Sequence, residues 1–268
     1  MNGKEVNLPL PFVFLSDVHF SRHLTHYELE KREKVFRVFD EVKKSKGTLF
    51  LLGDFFDFWW DKGTYIPPTF QEIYDKLKEL RDAGVQIHFI GGNHDFWVYT
   101  FFCPSLGIVF YDNHMDFIQE GKRFYLAHGD GLLKEDIGYR WLKRILRFPL
   151  AIWTFNQLPI EKIYEKAEKM LHNSQEYTSS KWPDLKVLAD EMIDYLQDKN
   201  RQGYDIAIMG HIHYPKRISN GKKEALILGD WIYHNTYALW DGKTFYHLER
   251  KKEESQPANF LWEIPIES

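Results

Sequence analysis

The ten residues Gln86-Ile87-His88-Phe89-Ile90-Gly91-Gly92-Asn93-His94-Asp95 join a short apolar run to a glycine pair and three polar side chains. An apolar run this short, stopped by glycine, reads as a buried strand. The same arrangement recurs on both sides of it. Upstream, Thr48-Leu49-Phe50-Leu51-Leu52 runs into Gly53-Asp54, and Phe12-Val13-Phe14-Leu15 runs into Ser16-Asp17-Val18-His19. Downstream, Phe124-Tyr125-Leu126-Ala127 leads to His128-Gly129-Asp130, Ile206-Ala207-Ile208-Met209 to Gly210-His211-Ile212-His213, and Ala225-Leu226-Ile227-Leu228 to Gly229-Asp230-Trp231. Between some of these runs the apolar spacing turns helical: Val35, Val38, Phe39 and Val42 within 28–46, Ile73, Leu77 and Leu80 within 70–83, and Leu188, Met192, Ile193 and Leu196 within 184–199. Strands alternating with helices predict a layered α/β domain. In such sheets ligands collect beyond the carboxyl ends of the strands, where each of these polar clusters falls.

The clusters contain two Asp, one Asn and four His that can ligate metals: Asp17, His19, Asp54, Asn93, His128, His211 and His213. Taken singly, each has an ordinary reading. An Asp-X-His after a strand is commonly a cap or a solvated loop, and a single histidine is commonly a core or surface residue. Five such clusters at five strand ends point instead to one site. A two-metal hydrolase needs oxygen and nitrogen ligands from several segments, with one anionic oxygen shared between the ions. This donor set suits Mn²⁺, Fe or Zn²⁺ and is too rich in imidazole for Ca²⁺ or Mg²⁺. Residues i and i+2 of an extended segment point the same way, so Asp17 and His19 can approach one ion together.

Composition narrows the alternatives. The 268 residues suit one large domain or one domain with an insertion. The net charge of −4 offers no global basis for nucleic-acid binding, so no nucleic-acid partner is expected. A single cysteine, Cys103, excludes an intrachain disulfide and a thiolate metal cluster, and fits a reducing compartment. The start of the chain is expected to carry no signal peptide, and no apolar stretch is long enough for a transmembrane helix. Aromatic residues make up 17% of the chain, which predicts an aromatic core or an apolar binding surface. No obligate protein partner is evident.

The interval 132–182 breaks the rhythm. It has no apolar run closed by a polar cluster, and it reads as helices punctuated by Pro149 and Pro159. It is expected to be a helical cap inserted between core segments 1–131 and 183–268. Residues 139–160 hold Arg140, Lys143, Arg144 and Arg147 and no acid, with the four cations on one helical face. Trp141, Leu142, Ile145, Leu146, Phe148, Ile152, Trp153 and Phe155 form the apolar remainder. Such an element reads as a contact for a membrane surface or for acyl chains. A cap helix with a solvated basic face is the plainer alternative.

The ordered set Asp17-Val18-His19, Gly53-Asp54, Gly92-Asn93-His94-Asp95, His128 and Gly210-His211-Ile212-His213 resembles the calcineurin-like metallophosphoesterase superfamily, over residues 12 to about 231. The resemblance implies a four-layer α/β/β/α sandwich and two divalent metal ions. It implies that Asp17, His19, Asp54 and His213 hold one ion and Asp54, Asn93, His128 and His211 the other, with Asp54 bridging. By the same carry-over, His94 faces the scissile phosphate and Asp95 orients His94.

Within that superfamily, Gly53-Asp54-Phe55-Phe56-Asp57-Phe58-Trp59, Asp136-Ile137-Gly138-Tyr139 and the stretch from Asn173 to Trp182 look like the UDP-2,3-diacylglucosamine diphosphatases of lipid A synthesis. That resemblance implies cleavage of the substrate's pyrophosphate to UMP and 2,3-diacylglucosamine 1-phosphate, with Mn²⁺ as cofactor. It implies substrate contacts at His94, Tyr139, Asn173, Ser174 and Lys181. It places the protein in the cytoplasm, at the anionic surface of the inner membrane where a lipid-linked nucleotide is found. The chain departs from proteobacterial members of this group at His94, where they have Arg, and at Leu171 and Thr178, where they have basic residues. The alternatives are a metallophosphoesterase acting on another nucleotide or phosphodiester, and an inactive scaffold.

Overall fold

A computed structural model of the chain describes residues 4–132, 141, 144–145, 147–169 and 185–250. Among these residues, twelve strands form two six-stranded sheets. The first sheet is built on the parallel strands β2 (Phe12–Leu15), β3 (Thr48–Leu51), β4 (Gln86–Ile90) and β5 (Val109–Tyr111). The antiparallel strands β11 (Thr236–Trp240) and β12 (Phe245–Glu249) extend it beyond β2. The second sheet runs β1 (Lys4–Glu5), β6 (His114–Gln119), β7 (Lys122–Ala127), β8 (Ile206–Met209), β10 (Glu224–Ile227), β9 (Lys216–Ser219).

Side-chain alternation explains the layers. Strand neighbours point to opposite faces, and β2 buries both: Phe12 and Phe14 enter the core between the sheets, while Val13 and Leu15 enter the core under the helices. Helices α1 (His26–Ser45) and α2 (Gln71–Asp82) cover that outer face with Val35, Val38, Phe39, Val42, Ile73, Leu77 and Leu80. The helix Leu185–Arg201 covers the outer face of the second sheet with Leu188, Met192, Ile193 and Leu196. The result is the expected four-layer α/β/β/α sandwich. The aromatic content is also accounted for. Phe12, Phe14, Phe50, Phe117, Phe124, Trp240 and Phe245 fill the space between the sheets, with Phe117 and Phe124 stacked at 4.8 Å.

The first turns of α1 secure the site. Thr25 caps the helix by accepting from the Glu28 N–H, and Glu28, Lys31 and Arg32 are buried just beyond it. Lys31 donates to the His19 carbonyl, and Arg32 donates to the carbonyls of Ser21 (2.9 Å) and Thr69 (2.7 Å). Both cations pair with Glu28 at 2.8 Å, so a buried ion network ties down the loop that follows β2.

Within the expected insertion, the helix Pro149–Asn156 and residues 160–169 are helical. They rest on the core through Ile152, Phe155, Leu158, Ile160 and Ile163, packed against Phe58, Trp60, Phe96 and Trp97. Trp60 Nε1 donates to Asn156 Oδ1 at 2.8 Å, Lys62 donates to the Leu158 carbonyl, and Arg22 lies over the Tyr164 ring while pairing with Glu168. The basic face is corrected at one position. Arg147 turns inward, pairing with Asp112 at 2.7 Å and stacking over Phe96 at 3.5 Å, so it is unavailable to a surface outside the protein. Tyr139, Asn173, Ser174 and Lys181, together with Arg140, Lys143, Leu171 and Thr178, lie outside the described residues.

Candidate metal centre

All seven residues expected as metal ligands converge at the carboxyl ends of β2, β3, β4, β7 and β8. Asp17 Oδ1 lies 3.2 Å from His213 Nε2 and 4.0 Å from His19 Nε2, and the two imidazole nitrogens lie 3.2 Å apart. Asp54 Oδ2 faces this group, 3.8 Å from His19 Nε2, and also a second one, 3.3 Å from His128 Nε2. Asn93 Oδ1 lies 3.1 Å from His128 Nε2, and His211 completes a ligand triple with Asp54 and His128. One Asp54 oxygen thus stands between two donor groups. His94 Nε2 is 3.7 Å from the same oxygen, on the partly open side of the site.

The imidazoles are aimed. His128 Nδ1–H donates to the Leu52 carbonyl at 2.8 Å, and His94 Nδ1–H donates to the Asp57 carbonyl at 2.7 Å. A carbonyl can only accept, so these bonds assign the tautomer and turn Nε2 toward the centre. His19 Nδ1 faces Asp57 Oδ1 at 3.4 Å, and His213 Nδ1 faces Asp230 Oδ2 at 3.6 Å. Such outer partners set ring orientation and ligand basicity at metal sites.

The backbone bends to present these groups. Of the eight non-glycine residues with positive φ among the described residues, five are Asp17, His19, Asp54, His211 and His213, at 50° to 74°. Left-handed backbone at side-chain-bearing residues is uncommon and clusters at functional sites. Close approach matters too. A Cβ on Gly92 would collide with Asp54 Oδ1, and one on Gly210 would collide with Asp17 Oδ2. Glycine at both positions lets neighbouring backbone close around the two carboxylates.

The electrostatics match a cation site. Burial pushes the Asp54 carboxyl up, but the His128 and His94 rings outweigh it and hold it well below the usual carboxylate range. Burial likewise opposes the ionised form of Asp17, which His213 nevertheless keeps below its ordinary value. Burial also disfavours charge on His128, yet Asp54 and Asp17 push it up to about 10. His211, desolvated and beside His128, falls to about 4. Two ionised carboxylates are therefore buried under a fan of imidazole nitrogens. Asp17 Oδ1 is buried without a hydrogen-bond donor. A buried anionic oxygen without a donor, surrounded by Nε2 atoms, fits divalent cations of the Mn²⁺, Fe or Zn²⁺ type.

Asp95 does not orient His94. Its fully buried carboxylate accepts the backbone N–H groups of Asp54 (3.2 Å), Phe55 (2.6 Å), Phe56 (3.2 Å) and Gly92 (3.1 Å). It thus clamps the loop after β3 to the loop after β4, which places Asp54 beside His94, and the Asp57 carbonyl does the orienting. Burial and the Asp54 charge push the Asp95 carboxyl up, to about 7. Sequence alone left open whether Asp57 supports the site or only the core, and whether Asp230 borders the site or simply closes the last strand. Their proximity to the donor clusters was the available signal.

Comparison with known proteins agrees with this geometry. The calcineurin-like phosphoesterase family matches residues 10–215. The UDP-2,3-diacylglucosamine hydrolase of Porphyromonas gingivalis is 30% identical over 251 residues, covering 86% of this chain and 94% of that protein. The enzyme of the same name from Pseudomonas entomophila is 30% identical over 228 residues, covering 82% of this chain and 90% of that one. That from Ectopseudomonas mendocina is 29% identical over 245 residues, covering 87% and 95%. With its ligand order, its two facing sheets and a family match spanning most of its length, the chain belongs to the calcineurin-like phosphoesterase family.

Proposed function

We propose that this protein hydrolyses the pyrophosphate of UDP-2,3-diacylglucosamine, releasing UMP and 2,3-diacylglucosamine 1-phosphate. The observation that carries the reading is the double donor group around Asp54, in a chain whose similarity to enzymes of that name extends over more than four-fifths of its length. Asp17, His19, Asp54 and His213 would hold one cation, and Asp54, Asn93, His128 and His211 the other; Mn²⁺ is the ion we assign. Two divalent cations at this position supply charge neutralisation for the phosphoryl oxygens and acidify an attacking water.

The chain's own residues do the rest. The water oxygen bonds to phosphorus, the bridging P–O bond breaks, and the leaving phosphate takes a proton. His94, locked through Nδ1 on the Asp57 carbonyl, presents Nε2 beside Asp54, where it can stabilise charge on the transferring group or protonate the leaving oxygen. Asp95 keeps the two loops in register for that contact.

The lipid half of the substrate calls for apolar surface, and residues 132–182 are assigned as the cap that supplies it. Trp141, Ile145, Phe148, Leu150 and Trp153 are each more than half exposed. Acyl-chain burial is worth roughly 0.8 kcal/mol per methylene, so even partial enclosure dominates affinity. Among the described residues no helix is long and apolar enough to cross a membrane. Docking at the cytoplasmic face of the inner membrane is therefore assigned to this exposed apolar stretch, with Arg144 beside Trp141 adding attraction to anionic lipid. Tyr139, Asn173, Ser174 and Lys181 remain the proposed substrate contacts from the cap.

The test is UMP release from UDP-2,3-diacylglucosamine by purified protein, before and after chelation and after return of Mn²⁺. Release that is lost on chelation and restored by Mn²⁺ is expected. Hydrolysis of an aryl phosphodiester with no UMP release would overturn the substrate assignment.

A further inference from the structure

A pyrophosphate seated between Asp17 and Asp54 has two arms. The contacts of residues 147–169 described above fall on the segments carrying Arg22, Trp60, Lys62, Phe96 and Asp112. Beside His213 lies the loop Asp230–Asn235, with Asp230 Oδ2 3.6 Å from His213 Nδ1. Asp230 Oδ1 accepts the N–H groups of Ile232 (3.0 Å), Tyr233 (2.8 Å) and His234 (3.1 Å), and its carbonyl accepts from Thr236 N–H (3.1 Å). One carboxylate thus holds this loop through Oδ1 while its Oδ2 faces His213 Nδ1 at 3.6 Å. The loop is over-determined, yet it carries Tyr233 with 80% of its surface in solvent. Tyr27, itself 47% exposed, reaches over from the start of α1, and its hydroxyl donates to the Trp231 carbonyl at 3.3 Å.

A large aromatic ring held bare on a rigid turn is a contact surface at little ordering cost, because its backbone is already immobile. A planar base stacks on such a ring whatever its identity. We propose that Tyr233, flanked by Tyr27, forms the subsite for the pyrimidine nucleoside of the substrate. The placement follows from the path of the chain: Tyr233 N–H is bonded to the same carboxylate whose other oxygen lies 3.6 Å from His213 Nδ1. The backbone that carries Tyr233 therefore lies one side chain away from His213, at the edge of the proposed metal centre.

The inference rests on the UDP-lipid reading, and its test separates the two. UMP and inorganic phosphate are titrated calorimetrically into Mn²⁺-loaded protein, and KM and kcat are measured for the UDP-linked lipid. UMP should bind more tightly than phosphate. Tyr233→Ala should erase most of that excess, raising KM roughly tenfold with little change in kcat. Tyr233→Phe, which keeps the ring, should restore both. Melting temperature and metal content of each variant check that the fold persists. An unchanged UMP-over-phosphate excess in Tyr233→Ala and in the Tyr27→Ala/Tyr233→Ala pair would overturn the subsite. So would a loss of vesicle binding in these variants with UMP affinity intact, which would make the rim a membrane contact. If wild-type protein fails to cleave the lipid substrate but the UMP excess is present and depends on Tyr233, the subsite stands and the lipid reading falls. If the lipid is cleaved and the excess is absent, the reverse holds.

Discussion

The candidate metal centre and the exposed stretch of the proposed cap spend their residues in opposite ways. At the centre, Asp17, Asp54 and His128 are buried, and ring after ring is turned by a named outer partner. On the cap, Trp141, Ile145, Phe148, Leu150 and Trp153 stand in solvent, and the helix Pro149–Asn156 has no fully buried residue. The centre is preorganised, so its geometry exists before substrate arrives. The exposed stretch offers area without a fixed partner. Changes at the centre should therefore act on metal and rate, and changes on the exposed stretch on substrate affinity alone.

The sharpest way to break this contrast is Asp54→Ala. One oxygen serves both donor groups, so activity should fall by several orders of magnitude, with metal content dropping below two ions per chain. Two retained ions with near-normal turnover would show that Asp54 does not bridge. His94→Ala comes next. It should keep both ions and lose roughly 10²–10⁴-fold in kcat; a rate loss that merely follows metal loss would make His94 a ligand. Asp57→Asn removes the carboxylate charge facing His19 but keeps the backbone carbonyl that orients His94. Metal affinity should weaken roughly 10–100-fold, measured by titration of chelator-treated protein, and an unchanged affinity would deny Asp57 that role.

Proton release sharpens the same side of the comparison. Asp54 and Asp17 outweigh burial to push His128 up to about 10, so a cation at Nε2 must displace a proton at neutral pH. Affinity should rise as pH rises, by up to about tenfold per unit for each proton displaced, with protons released on binding. A pH-independent affinity would show that the His128 imidazole carries no proton for the ion to displace. The smallest effect belongs to the cap. Leu150→Ser with Trp153→Ser should change stability by no more than about 0.5 kcal/mol per site, since both side chains are already in water. KM for the lipid substrate should nevertheless rise severalfold; a large drop in melting temperature would instead make these side chains part of the core.

Much of the architecture was legible in the chain. The six apolar runs that end in polar clusters are all strands, and the three helical spacings are all helices. The strands β1, β5, β6, β9, β11 and β12 escaped that reading because they deliver no ligand cluster at their ends. β6 also buries every other residue, Met115, Phe117 and Gln119, so its signal is an alternation rather than an apolar run. The inward turn of Arg147 was equally hidden. Its partner Asp112 lies 35 residues away, and helical periodicity assigns a face without saying what that face meets.

By itself, the sequence determined the donor set, the order of the strands that carry it, and the layered α/β class, because these depend on residue type and on spacings of a few positions. Tertiary structure decided which donors share an oxygen, which carbonyl or carboxylate faces the outer nitrogen of His19, His94 and His128, and that Asp95 clamps two loops rather than aiming His94. Those relations join segments tens to nearly two hundred residues apart, such as His19 and His213 at 3.2 Å. Local periodicity carries no information about them. They exist only once two sheets pack face to face and bring five strand ends to one edge.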